Sequence, residues 1–344
     1  MFDIDKMQCY NKKLDWQKPV KQPGVDEHMK IVVLMYTFNG VDYLGEQLQS
    51  IFKQDILDKA EIKILVRDDG STDRTTDILD KYKNEGKLSW SGGETKGKTK
   101  CFWELMEKAE DADYYAFCEQ DDVWYPEKLS RAIKYLQTKA ILEGEETEVS
   151  DRALLYYSGC TVTNAKLKPV HFKRNPANKY TDFEHSLIYS SMPGCTYVFN
   201  GNAKNNLLKY NLDLYFAGRY EDLVRNIISI TGSVVYDRVP TVYLRRTGAD
   251  KPGPAYQGGT IGQLKQKFSL MTGKDVNVKS KTAKALLEVF GEEVEGTSMA
   301  ESLKQVATYA DDVAQRDKLL QNTKFMTNSY NDKWFISAVK AKKL

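Results

Sequence analysis

The alternation of apolar runs and amphipathic stretches between residues 30 and 140 is the feature that most limits how this chain can fold. The runs "KIVVLMYTF" (30–38) and "YYAFC" (114–118) are continuously β-branched or aromatic, which predicts strands buried on both faces. Between such runs, stretches such as residues 44–52 repeat leucine, isoleucine and phenylalanine at helical spacing. A repeated β-α-β-α order predicts an α/β fold with a mostly parallel sheet flanked by helices.

The overall composition excludes several classes of protein. The formal net charge is +2, so we expect no nucleic-acid partner. The five cysteines form no Cys-x-x-Cys pair, which indicates buried thiols in a reducing compartment. The first 16 residues lack the apolar core of a signal peptide, and no run approaches the ~20 apolar residues of a membrane span. We therefore expect a cytoplasmic protein.

The chain divides into three parts by composition. Residues 1–28 are polar and mixed, and we interpret them as an N-terminal extension. The α/β domain is predicted over 29–254, with a first half at 29–140 and a second half at 151–254. Residues 255–344 are rich in Lys and Gln with helical stripes, which predicts a helical C-terminal region.

Polar residues follow three of the predicted strands. The clusters are Thr37–Asn39, Asp68–Ser71 and Glu119–Asp122. Each cluster alone could be a capped or exposed turn, but parallel strands bring their carboxyl ends to one sheet edge, where ligands bind in such folds. The chain has no Gly-x-Gly-x-x-Gly or Walker loop after these strands. An acid-lined edge can bind a diphosphate through a bridging cation such as Mg²⁺ or Mn²⁺.

Four ordered stretches carry a family resemblance. They read "YTFNGVDYLGEQLQSIFKQ", "VRDDGSTDRT", "GKTKCFWELM" and "FCEQDDVWYPEKL". Together they resemble the nucleotide-sugar-binding half of a family 2 glycosyltransferase with the GT-A fold, and more narrowly its bacterial rhamnosyltransferase-like branch. The resemblance runs from about residue 30 to residue 136, with weaker matches in "PGCTYVFN" and "VPTVYLRRTG".

The resemblance implies roles for individual residues at the sheet edge. Thr37 and Asn39 would border the nucleotide, and Asp68 would contact the base. Asp121 would be the principal ligand of a divalent metal, Mg²⁺ or Mn²⁺, with Glu119 as a second ligand. The remaining residues implied to contact the donor are Asp69, Ser71, Gly97, Lys100 and Asp122.

Three departures from the family pattern leave the metal dependence open. The family usually has Asp where Glu119 stands, and the branch often has His at the positions of Tyr220 and Thr247. The alternative to a metal is that Arg245 or Arg246 binds the diphosphate, because a guanidinium suits phosphate oxygens.

The predicted general base lies in "RYEDLVRNIISITG". Inverting transfer needs one base to take a proton from the acceptor hydroxyl. Other branches of the family use a Glu-Asp pair whose Asp is the base, so we prefer Asp222 over Glu221. The alternative is that both are exposed acids at a helix start, where acids suit the helix dipole.

The resemblance implies an inverting glycosyltransferase that moves a sugar, L-rhamnose from dTDP-L-rhamnose, onto a bacterial surface polysaccharide or exopolysaccharide. Its partners would be a nucleotide-diphospho-sugar donor and a saccharide or lipid-linked saccharide acceptor. A UDP-hexose donor is one alternative, and a non-catalytic glycan-binding module on a degenerate transferase fold is another.

The last residues, "DKWFISAVKAKKL", form a short basic amphipathic segment. This pattern is typical of peripheral contact with an anionic membrane surface. The alternative is a helix that packs on the domain, or C-terminal helices that form a homo-oligomer.

Overall fold

The computed structural model describes residues 29–142, 152–170, 181–189, 192–212, 219–247, 277–327 and 330–344. Within this part of the chain the strands form one eight-stranded sheet of order β3-β2-β1-β4-β7-β6-β8-β5. The strands are β1 (Met29–Thr37), β2 (Ala60–Asp68), β3 (Ser89–Gly92), β4 (Tyr114–Glu119), β5 (Val123–Trp124), β6 (Ala153–Asn164), β7 (Val198–Asn200) and β8 (Gly232–Arg246).

The helices cover the sheet and then continue beyond it. In chain order they are α1 (Leu44–Ile51), α2 (Thr75–Asn84), α3 (Lys98–Lys108), α4 (Lys128–Leu142), α5 (Phe183–Ile188), α6 (Gly201–Leu208), α7 (Tyr220–Thr231), α8 (Val278–Val294), α9 (Ser298–Thr308), α10 (Val313–Gln321) and α11 (Tyr330–Lys340).

The predicted fold class is confirmed. Strand β1 lies between β2 and β4 and is parallel to both, and its residues from Ile31 to Met35 are almost completely buried. The sheet is mixed further along, because β7 is antiparallel to β4 and to β6. The stretch "SVVYDRVPTVYLRR" (233–246) predicts a strand pair, and this prediction is wrong: the residues belong to the single strand β8, which runs parallel to β6 with irregular register near Gly159.

The three-part division of the chain is not tested as a whole. The 1–28 extension and the start of the C-terminal region, up to residue 276, lie outside the described residues. The two predicted halves of the α/β domain share one sheet, since β4 of the first half pairs with β7 of the second. Helix α8 contacts α7, so the C-terminal helices pack against the domain.

The C-terminal segment uses its apolar side chains inside the protein. Phe335 and Val339 of α11 are fully buried, and the ring of Trp334 lies 6.5 Å from that of Tyr189. The structure therefore favours our alternative, a helix packed on the domain, and does not support the membrane contact, since these apolar groups are not free to enter a membrane. Among the described residues, none of the helices has the length and apolar character required to cross a bilayer.

A buried ion pair stabilises the connection between the first strands and α3. Arg67, near the end of β2, is 2% exposed and donates to Glu104 of α3 at 3.1 Å. Its guanidinium also donates to the carbonyl of Glu94 at 3.3 Å. Lys108 and Lys96 donate to the same Glu104 carboxylate at 2.6 and 3.3 Å. Hydrogen bonds from Lys108, Arg67 and Lys96 lower the pKa of Glu104 to about 2, against the effect of burial.

We expect Glu104→Gln to destabilise the protein in a pH-dependent way. A carboxyl group with a lowered folded-state pKa stabilises the fold above its unfolded pKa of ~4.3, and this stabilisation is lost as the pH falls towards 2. The stability difference between wild type and variant, measured by urea unfolding, should be on the order of 2 kcal/mol at pH 7. It should shrink between about pH 4.5 and pH 2.5. A difference that stays constant over this range would contradict the assignment.

Candidate active site

Side-chain hydrogen bonds join the carboxyl ends of β1 and β4. The Gln120 side chain accepts from the backbone N–H of Phe38 at 2.8 Å and donates to its carbonyl at 2.7 Å. Gly40 lies against this contact, where a Cβ would meet the Gln120 side chain at 2.1 Å. The loop after β1 and the acidic loop after β4 are therefore held together, as the convergence of strand ends predicts.

The first aspartate of the "DDGSTD" motif organises the loops around it. Asp68 is buried and accepts from the Thr37 hydroxyl at 2.9 Å and the Ser71 hydroxyl at 2.6 Å. Asn39 has a positive φ of 48°, and its side chain accepts from the N–H of Thr72 at 2.8 Å. These predicted nucleotide contacts lie together at the edge, and the buried carboxylate of Asp68 is already hydrogen-bonded within the protein.

The second aspartate, Asp69, fixes the start of α3. Its carboxylate is buried and accepts from the N–H groups of Lys96 and Gly97 at 2.7 and 3.0 Å. Gly97 has a φ of +87°, which favours glycine at this turn. Lys100 lies in the first turn of α3 and is exposed. Asp69 thus determines where the turn presents the lysines of "TKGKTK".

A lysine, a glutamate and a tyrosine from three elements meet at this edge. Lys98, the first residue of α3, forms an ion pair with Glu119 at the end of β4. The Tyr220 hydroxyl, at the start of α7, donates to the other oxygen of Glu119 at 3.0 Å. The Tyr220 ring packs between Phe102 and Phe117, with ring centroids 4.8 and 5.6 Å away. Aromatic packing therefore sets the position of the hydroxyl.

Lys98 and Glu119 stabilise each other's charged forms. Burial would raise the pKa of Glu119, but Lys98, Tyr220 and Arg219 lower it below the usual range. Burial would lower the pKa of Lys98, but Glu119, followed by Glu221 and Asp121, raises it above the usual range. Lys98 and Glu119 are therefore both charged near neutral pH. The negative charges of Glu221 and Asp121 add to that of Glu119 in favouring the charged form of this lysine.

The two candidate bases have different neighbours. Glu221 accepts from Arg219 at 2.9 Å and follows Tyr220, whose hydroxyl contacts Glu119. Asp222 pairs instead with Lys279 of α8 at 3.5 Å. The pKa of Lys279 is lowered by burial in spite of this pairing. The partner of Glu221 thus comes from its own segment, whereas the partner of Asp222 comes from the C-terminal helices.

Arg245 contacts the acidic loop that follows β4. Its side chain is 3% exposed and pairs with Glu46 of α1. It also donates to the carbonyl oxygens of Asp121 at 2.8 Å and Ala165 at 2.5 Å, and its backbone N–H donates to Asp122 at 3.2 Å. A guanidinium with these partners stabilises the loop and is not presented to a diphosphate. Binding of the diphosphate was the role that the sequence predicted for Arg245. Arg246, the next residue, is half-buried.

Asp122 is enclosed beneath the loop. It is 1% exposed, and burial, together with the charges of Asp121 and Glu119, raises its pKa well above the usual range. A buried carboxyl group of this kind is held in its neutral form. Asp122 therefore suits a structural role better than the donor contact that we predicted.

The arrangement does not fit a divalent ion held by Glu119 and Asp121. Both oxygens of Glu119 already have partners, one of them a lysine ammonium. Among the residues that the structure describes, no three His, Cys, Asp or Glu side chains come together to hold a metal. Mg²⁺ and Mn²⁺ prefer several oxygen ligands, and a paired cation next to one of them opposes binding. The metal site remains a prediction that this geometry does not support.

Lys98 was not among the residues that the sequence predicted for the site. The signal was present as three lysines at alternate positions, 96, 98 and 100, but spacing alone does not show which of them meets the acids. The start of α3 at Lys98 decides this, and it depends on the contacts of Asp69 with the preceding turn. Tyr220 was noted only as a departure from the family pattern.

Gly194 provides the space that Tyr220 occupies. A Cβ on Gly194 would lie 2.1 Å from the Tyr220 hydroxyl oxygen. We expect Gly194→Ala to cost about 1–3 kcal/mol of stability, measured by chemical unfolding. In the Tyr220→Ala background the same change should cost much less, because the clash is gone. Gly45→Ala is the control, since its Cβ would meet nothing within 4 Å. Equal costs in both backgrounds would exclude the clash.

Comparison with known proteins agrees with the fold. Residues 32–145 match the family model "Glycosyl transferase family 2". The chain is 28% identical over 239 residues to the dTDP-rhamnosyl transferase RfbG of Shigella flexneri, covering 62% of this chain and 71% of RfbG. It is 30% identical over 192 residues to the poly(ribitol-phosphate) β-N-acetylglucosaminyltransferase TarS of Staphylococcus aureus, covering 55% of this chain and 30% of TarS.

A solved structure supports the same fold. Residues 1–349 of S. aureus TarS, crystallised with UDP-GlcNAc, align with a TM-score of 0.50 and 18% identity over 90% of this chain and 79% of that one. These findings confirm the family resemblance and the GT-A type of fold.

Proposed function

We propose that this chain, whose residues 32–145 match the model of glycosyl transferase family 2, transfers a sugar from a nucleotide-diphospho-sugar to a saccharide of a bacterial surface polysaccharide, with inversion. The observation that carries this proposal is the meeting of Lys98, Glu119 and Tyr220 at the carboxyl ends of the parallel strands, with Glu221 as the residue after Tyr220. One charged lysine can bind a phosphate there, and one carboxylate can accept a proton.

The transfer step needs only groups that this edge contains. The acceptor hydroxyl oxygen attacks the anomeric carbon, and a new C–O bond forms as the bond to the β-phosphate oxygen breaks. The hydroxyl proton passes to a carboxylate, and the electron pair leaves with the diphosphate. We assign Glu221 as the base because it directly follows Tyr220, whose hydroxyl contacts Glu119, whereas Asp222 pairs with Lys279.

The donor is proposed to be dTDP-L-rhamnose. RfbG, described as a dTDP-rhamnosyl transferase, is matched over most of its length, 71%. A UDP-hexose is the second candidate, and it is favoured by the alignment with a TarS structure that contains UDP-GlcNAc. Both candidates are nucleoside diphosphate sugars, so they share the requirement for a cationic group at the diphosphate.

The acceptor side of the site belongs to the same proposal. A saccharide or lipid-linked saccharide would enter from the side of α7, next to Glu221.

The remaining expectations are a cytoplasmic location and a homo-oligomer formed through the C-terminal helices. Sedimentation of the full chain, compared with that of a chain that ends at residue 276, would show whether the C-terminal helices form the homo-oligomer.

A donor panel tests the function. Hydrolysis and binding of dTDP-L-rhamnose, UDP-glucose, UDP-galactose and UDP-N-acetylglucosamine are measured by product release and calorimetry. We expect turnover of one donor, dTDP-L-rhamnose, and its loss in Glu221→Gln. Turnover of a UDP-hexose alone would replace the donor but keep the reaction. Failure to bind any of the four would contradict the proposed function.

A further inference from the structure

The Lys98–Glu119 pair occupies the place where the family resemblance predicts a metal. Glu119 is the first acid of "EQDD", and its two oxygens are used by Lys98 and Tyr220. The Glu119 carboxylate is therefore paired with a cation of the protein itself, the Lys98 ammonium group. Arg245, one of the two arginines predicted to bind the diphosphate, is enclosed by Glu46 and two carbonyl oxygens.

Lys98 keeps the capacity to bind a second anion. Its side chain is 39% exposed, whereas that of Glu119 is 16% exposed. An ammonium group has three N–H donors. Glu119 accepts from the Lys98 ammonium, which also lies 5.8 Å from the centre of the Tyr36 ring. The other donors can reach oxygens of a ligand that enters at the strand ends.

We propose that Lys98 binds the donor diphosphate directly and replaces the divalent cation, with Glu119 and Tyr220 acting as positioning residues for its ammonium group. This inference rests on the proposed function and specifies its cation. Glu119 stabilises the charged lysine and sets its direction, and Tyr220 fixes Glu119 through a hydroxyl that Phe102 and Phe117 hold in place. A lysine is a compact point charge that suits a phosphate oxygen.

The exchange of a metal for a lysine also explains two departures from the family pattern together. The longer arm of Glu119 reaches the lysine at the start of α3. A tyrosine in place of a histidine donates a hydrogen bond to that glutamate and offers no ligand nitrogen. Tyr220 stays protonated, because burial and the charge of Glu119 raise its pKa well above the usual range. Both replacements serve an ammonium group better than a metal.

The experiment measures binding of UDP, dTDP, UMP and dTMP to the full chain by calorimetry in EDTA, in Mg²⁺ and in Mn²⁺. We expect the diphosphates to bind wild type with affinities that agree within about threefold in the three conditions. Lys98→Met should weaken diphosphate binding ~10- to 100-fold, as expected for one charge-assisted hydrogen bond. Binding of the monophosphates should change much less, because they lack the β-phosphate.

Three variants serve as controls. Lys96→Met removes a lysine of the same turn, which is 48% exposed and pairs with Glu104, and should leave diphosphate binding unchanged. Lys98→Arg should restore part of the affinity. Lys98→Met/Glu119→Gln removes both charges, so its weak binding cannot be attributed to an unpaired carboxylate. Thermal melts show which variants are folded, and the comparison of EDTA with Mn²⁺ in wild type needs no variant.

Two results would overturn the inference. In the first, wild type binds diphosphates at least tenfold more weakly in EDTA than in Mn²⁺, and Lys98→Met binds like wild type in Mn²⁺. This result would show that a metal holds the diphosphate, and the proposed transfer would then stand without this inference. Binding of no nucleotide to wild type in any condition would overturn both the inference and the proposed function.

Discussion

Glu221→Gln is expected to reduce the turnover of the donor by about 10²- to 10⁴-fold, the usual contribution of a general base. Glutamine keeps the size of the side chain and can still accept from Arg219, which lies 2.9 Å from Glu221, but it cannot take up the proton. Donor affinity should change only a few-fold, because the variant leaves the Lys98–Glu119 pair intact. The measurement is kcat for sugar release, together with calorimetry for the nucleotide.

Asp222→Asn is the matched control for this prediction. It changes the next residue of the same helix, and it removes the pairing of Asp222 with Lys279 at 3.5 Å. We expect a modest loss of stability, since Lys279 is left buried without its carboxylate, and a change in kcat of less than about fivefold. The reverse pattern, with a large loss of kcat in Asp222→Asn and little in Glu221→Gln, would make Asp222 the base.

Arg245→Ala should lower the free energy of unfolding by about 3 kcal/mol, because buried acceptors lose a charged donor. The carbonyl oxygens of Asp121 and Ala165 and the carboxylate of Glu46 would each lose their contact with the guanidinium. The acidic loop would then be held less firmly relative to α1 and β8. We expect kcat to fall as well, while nucleotide affinity in the folded fraction stays close to that of wild type.

Arg246→Ala is the control for this change. It removes the same charge from the neighbouring position of β8, where the side chain is half-buried, and should cost less than about 1 kcal/mol. Arg245→Lys keeps the charge, but its compact ammonium group lacks the span of the guanidinium and cannot reach all three acceptors, so it should rescue little of the stability. A normal unfolding free energy with lost nucleotide binding in Arg245→Ala would instead support the diphosphate role that the sequence predicted.

Much of the fold could be predicted because it depends on local pattern. The run from Ile31 to Met35 is apolar on both faces, and only a central strand covered by helices buries such a run completely. The antiparallel β7 was harder to place, because three residues, Val198–Asn200, are too few for periodicity to show a direction. The bounds of β8 were missed because Pro240 in its middle reads as a break between two strands.

The candidate site was predicted in position but not in detail. The motifs placed Thr37, Asp68 and Glu119 at one edge, and the register of the parallel strands brings them there. Which side chains remain available to a ligand was not predictable, because burial and pairing involve residues far apart in the chain. Asp69 and Lys96 are 27 positions apart, and Arg245 and Glu46 are 199 positions apart.

The sequence by itself determined the α/β architecture, the sheet edge that carries the site and the family to which the motifs belong, because hydrophobic periodicity and short motifs act over a few residues. Only the tertiary structure decided that Lys98 meets Glu119, that Arg245 is enclosed and that Asp222 faces Lys279. A charged side chain takes its role from the partner that burial gives it, and that partner is fixed by the packing of whole elements.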